Sequence, residues 1–123
     1  MRYRIMTLGC PKNDVDSEMM AELLRQAGHA PAPSNRRADV LIVNTCSFVH
    51  DAREESYGAL RELAAGKRRG QFLVAAGCLA QRYAEEIYRE VPGVDAVLGT
   101  QSWPEIARLL DALRTGKRGA RHT

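Results

Sequence analysis

Short apolar runs and longer stretches of helical periodicity take turns along the chain. Arg4–Leu8 is a short β-type run that ends at Gly9. Val15, Met19, Leu23, Leu24 and Ala27 then recur at the spacing of one helix face, with Asp16 or Ser17 placed to cap that helix and Gly28 to stop it. A weak strand is expected near His29–Ala32, and Pro31 and Pro33 confine it to a sheet edge. Val40–Asn44 and Phe72–Ala76 are continuous apolar runs, the mark of strands covered on both faces. Between them a helix is predicted from about Ala52 to Ala65, ending at Gly66, and after the second run another covers roughly Tyr83–Val91 and stops before Pro92–Gly93. Val94–Leu98 supplies a further strand that ends at Gly99–Thr100. Pro104 opens a last helix in which Ile106, Leu109, Leu110 and Leu113 share one face.

Five strands alternating with four helices predict an α/β domain over residues 1–116, a doubly wound five-stranded parallel sheet with flavodoxin-like order. The stretch 117–123 is basic and contains glycine, so it is expected to be a linker leading out of the domain. Neither an internal repeat nor a low-complexity segment occurs.

Composition narrows the class. Of 123 residues, 45% are hydrophobic and 27% charged, the balance of a folded domain rather than a disordered chain. The longest apolar stretches fall far short of the roughly 20 residues that a membrane span requires, and Met1–Cys10 has no signal-peptide pattern. A cytoplasmic protein with no membrane partner is therefore expected. The net charge of +3 is carried by the tail, where Lys117, Arg118 and Arg121 stand without an acidic residue. The rest of the chain has 15 basic and 15 acidic residues, and the pairs Arg36–Arg37 and Lys67–Arg69 read as solvated surface. A neutral body gives no reason to expect direct nucleic-acid binding.

The three cysteines change the picture most. An odd number in a reducing compartment does not make a disulfide framework. Cys10, Cys46 and Cys78 each follow a predicted strand, and ligands of open parallel sheets bind beyond the carboxyl ends of strands. In a 2-1-3-4-5 order the three strands concerned are neighbours about 4.8 Å apart, so three thiolates can converge on one small object. Thiolates are soft ligands that select iron–sulfur clusters, zinc or copper(I). Spacings of 36 and 32 residues, with no Cys-x-x-Cys pair, do not resemble a structural zinc site. A 4Fe–4S cube suits the span. His29, His50 and His122 are candidate fourth ligands; His50, four residues after Cys46, is the best placed. Helix N-termini after each cysteine favour an anionic cluster, and Lys12, Asn13, Asn44 and Thr45 are placed to hydrogen-bond it.

Four segments, Leu8-Gly-Cys-Pro-Lys-Asn13 with Val15-Asp-Ser-Glu18, Val43-Asn-Thr-Cys-Ser-Phe48 with Glu54-Glu-Ser56, Gly77-Cys-Leu-Ala-Gln-Arg-Tyr83 and Val94-Asp-Ala-Val-Leu-Gly-Thr100, resemble the N-terminal domain of the methylthiotransferases. The resemblance runs in order from about residue 4 to residue 113. It implies an auxiliary 4Fe–4S cluster held by Cys10, Cys46 and Cys78, with one iron left open to carry the sulfur that is transferred. The Cys-Pro-Lys-Asn form resembles the branch that modifies an aspartate of a small-subunit ribosomal protein; the branch that modifies tRNA adenosine is the alternative. The resemblance further implies a radical S-adenosylmethionine barrel, with a second 4Fe–4S cluster, and a small C-terminal β-barrel. The barrel's Cys-x-x-x-Cys-x-x-Cys motif is absent from this chain, which is therefore expected to be one part of a larger enzyme and not catalytic alone.

Other uses of the fold make different demands. An electron-transfer module needs a fourth cluster ligand, for which the chain offers no good residue. A flavin- or nucleotide-binding domain needs a Ser/Thr- and Gly-rich phosphate cradle, absent from Gly9–Asp14. A receiver domain needs an aspartate where Asn44–Cys46 stands.

Overall fold

The computed structural model describes residues 1–9, 11–46, 50–100, 102–116 and 120–122, with Pro11, His50, Asp51 and 120–122 described as backbone. In chain order the elements are β1 (Arg2–Thr7), α1 (Pro11–Gln26), β2 (Ala30–Pro31), β3 (Val40–Thr45), α2 (His50–Ala65), β4 (Phe72–Gly77), α3 (Cys78–Glu90), β5 (Ala96–Gly99), a 3-10 turn at Trp103–Glu105, α4 (Ile106–Arg114) and β6 (Ala120–His122). The strands form one parallel sheet in the order β2-β1-β3-β4-β5-β6. Its first five strands are those expected from the sequence, in the flavodoxin-like order.

All six residues of β3 are buried, as the unbroken apolar run implied. Alternate side chains leave the sheet on opposite faces. Leu41, Val43, Leu73, Ala75 and Val97 pack with Tyr57 and Leu60 of α2 and with Leu79, Ala84 and Ile87 of α3. Val40, Ile42, Val74, Ala76, Ala96 and Leu98 meet Met20 and Leu24 of α1 and Ile106, Leu109, Leu110 and Leu113 of α4. The three leucines of α4 have no exposed surface, and burial of each contributes about 1.5–3 kcal/mol.

Three elements differ from expectation. Helix α1 begins at Pro11, so Asp16 and Ser17 lie inside it rather than at its cap. Its inward face is Asn13, Ser17, Met20 and Leu24, while Val15 and Met19 are 57% and 47% exposed. Two of those four inward residues are polar and are satisfied by the ends of the strands, which hydrophobic periodicity does not register. Helix α3 begins at Cys78, ahead of the expected start, and has a non-helical residue at Tyr83 (φ −131°, ψ 37°). The periodicity detects the part beyond that kink. Finally, the tail expected as a linker contributes β6, which pairs with β5 through backbone groups and needs no apolar signature. The two-residue β2 is an edge strand, as Pro31 required.

Candidate functional site

The site is assembled where β1, β3 and β4 end. Thr7 is in register with Asn44, and Thr45 with Gly77. Cys46 and Cys78 therefore follow directly from two residues paired across adjacent strands. Both thiols are free; Cys46 is buried and Cys78 is partly exposed as the first residue of α3. Cys10 lies outside the described residues. The described residue before it, Gly9, sits against Cys46: a Cβ built on Gly9 would fall 2.6 Å from Cys46 Cβ and 2.7 Å from its Sγ. Gly9 also has φ +88°, so a side chain is excluded both by conformation and by the neighbouring thiol.

Backbone contacts fix this edge. Ser56 of α2, fully buried, accepts a hydrogen bond from Cys46 N (2.9 Å) and donates one to Cys46 O (3.0 Å). Leu8 N donates to Asn44 O at 3.0 Å, and Thr45 Oγ1 donates to Ala76 O. Asn13 Nδ2 donates to Leu8 O (2.6 Å) and Thr45 O (3.0 Å), while Asn44 Nδ2 donates to Asn13 O (2.9 Å) and Ser17 Oγ (3.0 Å). Ser17 Oγ lies 2.7 Å from Thr7 Oγ1. Gly77 admits this network because it lacks a side chain. A Cβ there would stand 2.5 Å from Asn44 Oδ1 and 2.6 Å from Thr45 O.

The polar residues expected to hydrogen-bond a cluster are thus placed at the right edge, but their bonds run to the protein. Asn13, Asn44 and Thr45 tie strand ends together, and Lys12 pairs with Asp16 at 3.2 Å on an exposed side of α1. His29 is not brought to the site. It follows α1 near the amino end of the sheet, where Nδ1 lies 3.0 Å from the N-terminal amine. Burial, then the nearby N-terminal charge, holds its pKa below the ordinary histidine value. His50 opens α2 at the carboxyl edge; its side chain and that of His122 lie outside the described residues. Among the described residues, no three His, Cys, Asp or Glu side chains gather as a metal site. Arg36 and Arg37 are exposed as expected, beside a concavity of about 740 Å³ shared with Arg2, Ser34, Asp39 and Arg68, whereas Arg68 is held by Arg36 O and Ala38 O.

Sequence reasoning missed a second cluster on α2 and α3. Arg53 Nη2 and Tyr57 Oη both donate to Glu86 Oε1, at 2.5 and 2.6 Å, and the Arg53 guanidinium stacks 4.2 Å from the centre of the Tyr83 ring. The hydrogen bond from Tyr57, then that from Arg53, lowers the Glu86 pKa; burial, then the bond to Glu86, raises that of Tyr57. The i,i+4 spacing of Arg53 and Tyr57 puts that pair on one helix face, but nothing local shows that it meets α3 at Tyr83 and Glu86.

A parallel doubly wound sheet in flavodoxin-like order, with Cys46 and Cys78 directly after two adjacent central strands, defines an α/β domain. Residues 2–99 match the family described as Uncharacterized protein family UPF0004, and the chain belongs to that family. It is 56% identical over 113 residues to the ribosomal protein uS12 methylthiotransferase RimO of Chloroflexus aurantiacus, which covers 92% of this chain and 25% of that protein. Proteins of the same name from a Roseiflexus species and from Lachnoclostridium phytofermentans are 50% and 45% identical over 93% and 96% of the chain, covering 24% and 27% of their own lengths. The chain spans about a quarter of the length of these curated relatives. No helix among the described residues is long and apolar enough to cross a membrane.

Proposed function

We propose that this chain is the N-terminal, cluster-binding domain of a radical S-adenosylmethionine methylthiotransferase, in which Cys10, Cys46 and Cys78 hold an auxiliary 4Fe–4S cluster. The observation that carries the reading is the placement of Cys46 and Cys78 immediately after the paired residues Thr45 and Gly77, with Gly9 pressed against the Cys46 thiol. The donor set fits the group. The thiols are unbonded and soft, and glycine at position 9 leaves room for the Cys46 sulfur where a Cβ would intrude. A cluster bound there supplies an iron site free of protein ligation, able to carry sulfide or methylsulfide. The chain's own contribution is to hold three thiolates at the strand ends and, at Cys46, which is 5% exposed, to limit access to water.

The substrate of the whole enzyme is an aspartate of a small-subunit ribosomal protein, in keeping with the names of the relatives. The remainder of that enzyme supplies the second 4Fe–4S cluster and S-adenosylmethionine, and it works in the cytoplasm. Iron and acid-labile sulfide assay after anaerobic reconstitution tests the cluster: about four of each per chain are expected, with a sharp loss in each of Cys10→Ala, Cys46→Ala and Cys78→Ala. Full occupancy in any one variant would show that its cysteine only packs. Mass spectrometry of the ribosomal protein, beside nucleoside analysis of tRNA, from cells with and without the intact gene tests the substrate. Loss of methylthio groups from tRNA alone would assign the chain to the tRNA branch.

A further inference from the structure

Resting on that cluster-binding reading, we propose that Asn13 is a positioning residue for the cluster. Its carboxamide fixes the segment leading into Cys10 against the segment leading into Cys46, and so governs how firmly the thiols are held at one place. Asn13 is 1% exposed, and its Nδ2 group bonds to two different strand ends. One bond reaches Leu8 O, two residues before Cys10; the other reaches Thr45 O, directly before Cys46. Both amide protons are thereby engaged by carbonyl oxygens, so Asn13 acts through the backbone rather than as a donor to sulfur.

The strap is held from both sides. Asn13's own carbonyl accepts from Asn44 Nδ2, and Asn44 also donates to Ser17, which contacts Thr7. β1, α1 and β3 are thus joined by side chains at the level where the cysteine-bearing segments begin. Gly9 links this lattice to the thiol: its absent Cβ would lie 3.4 Å from Asn13 Nδ2 and 2.7 Å from Cys46 Sγ. No buried side-chain nitrogen or oxygen among the described residues lacks a partner. An apolar residue at position 13 would fill space but leave the carbonyls of Leu8 and Thr45 without their donor, and these two strand ends would lose their bridge.

The test separates positioning from plain stability. Wild type, Asn13→Ala, Asn13→Ser and Leu24→Ala are reconstituted anaerobically, and each is followed by melting temperature, by the rate of iron loss to a chelator and by the EPR spectrum of the reduced cluster. Leu24 lies on the same helix, is fully buried and packs in the core rather than at the strand ends. Asn13→Ala is expected to release iron about 10- to 100-fold faster than wild type, the usual effect of losing a group that orients a metal ligand, with an altered EPR spectrum. Asn13→Ser, smaller but still a donor, is expected to fall between the two and serves alone if Asn13→Ala does not fold. Leu24→Ala is expected to melt lower yet keep the wild-type spectrum and release rate. Release from the Asn13 variants no faster than from Leu24→Ala would overturn the proposal. Wild type that takes up no iron would instead overturn the cluster-binding reading beneath it.

Discussion

Gly77 is the residue whose replacement most directly probes the packing under the cysteines. It holds φ +94° and ψ −157°, a region essentially confined to glycine, where another residue incurs about 1–3 kcal/mol. An alanine Cβ would also lie 2.5 Å from Asn44 Oδ1, 2.6 Å from Thr45 O and 3.0 Å from Thr45 N. Two of those three atoms are backbone of the central strand β3, so relief requires β3 and β4 to separate, and overpacking of this kind costs about 1–3 kcal/mol more. With 123 residues and an unfolding entropy of about 2.1 cal/mol/K per residue, each kcal/mol lowers Tm by about 4 °C. Gly77→Ala should therefore melt about 8–24 °C below wild type by differential scanning calorimetry. Gly28→Ala is the control. Gly28 has φ +92° but nothing within 4 Å of its Cβ position, so only the backbone penalty of about 1–2 kcal/mol applies, or about 4–8 °C. Equal melting temperatures for the two variants would refute the close approach of Gly77 to Asn44 and Thr45.

Two further substitutions test interactions away from that edge. Because its partners depress the Glu86 pKa, the carboxylate contributes stability that is present above its ordinary value of 4.5 and is lost as pH falls through the lower folded value; Glu86→Gln should melt below wild type near neutrality, with the gap closing in acid, and a gap independent of pH would remove Glu86 from the account. Asp95 Oδ2 accepts from Lys67 Nζ (2.8 Å) and Leu73 N (2.9 Å) while 5% exposed, so Asp95→Ala should lower unfolding free energy in urea by about 3 kcal/mol, and a loss under about 1 kcal/mol, the value of a surface pair, would contradict the buried geometry.

Much of this architecture was legible because its strongest signals are local. The runs at Val40–Asn44 and Phe72–Ala76 announced buried central strands, and with them the placement of Cys46 and Cys78 directly after β3 and β4. What was not legible depends on partners distant in sequence. Asn13 and Ser17 point inward because Thr7, Leu8, Asn44 and Thr45 accept or supply their hydrogen bonds, so a polar helix face was mistaken for an outer one and the exposed Val15 and Met19 for core. The early start of α3 was hidden by the break at Tyr83, and Arg53 meets Glu86 across 33 residues. β6 forms from Ala120–His122 through main-chain pairing with β5, which no side-chain pattern foretells.

The placement of β3 has a consequence for motion. It lies between β1 and β4, is covered on both faces and is buried along its whole length, so its amides exchange with solvent only through the largest openings of the domain. The short outer strands β2 and β6 unfasten in smaller events that leave β3 and β4 paired. Cys46 and Cys78 are thus attached to the part of the fold that breathes last. Their relative position outlives fraying at either side of the sheet.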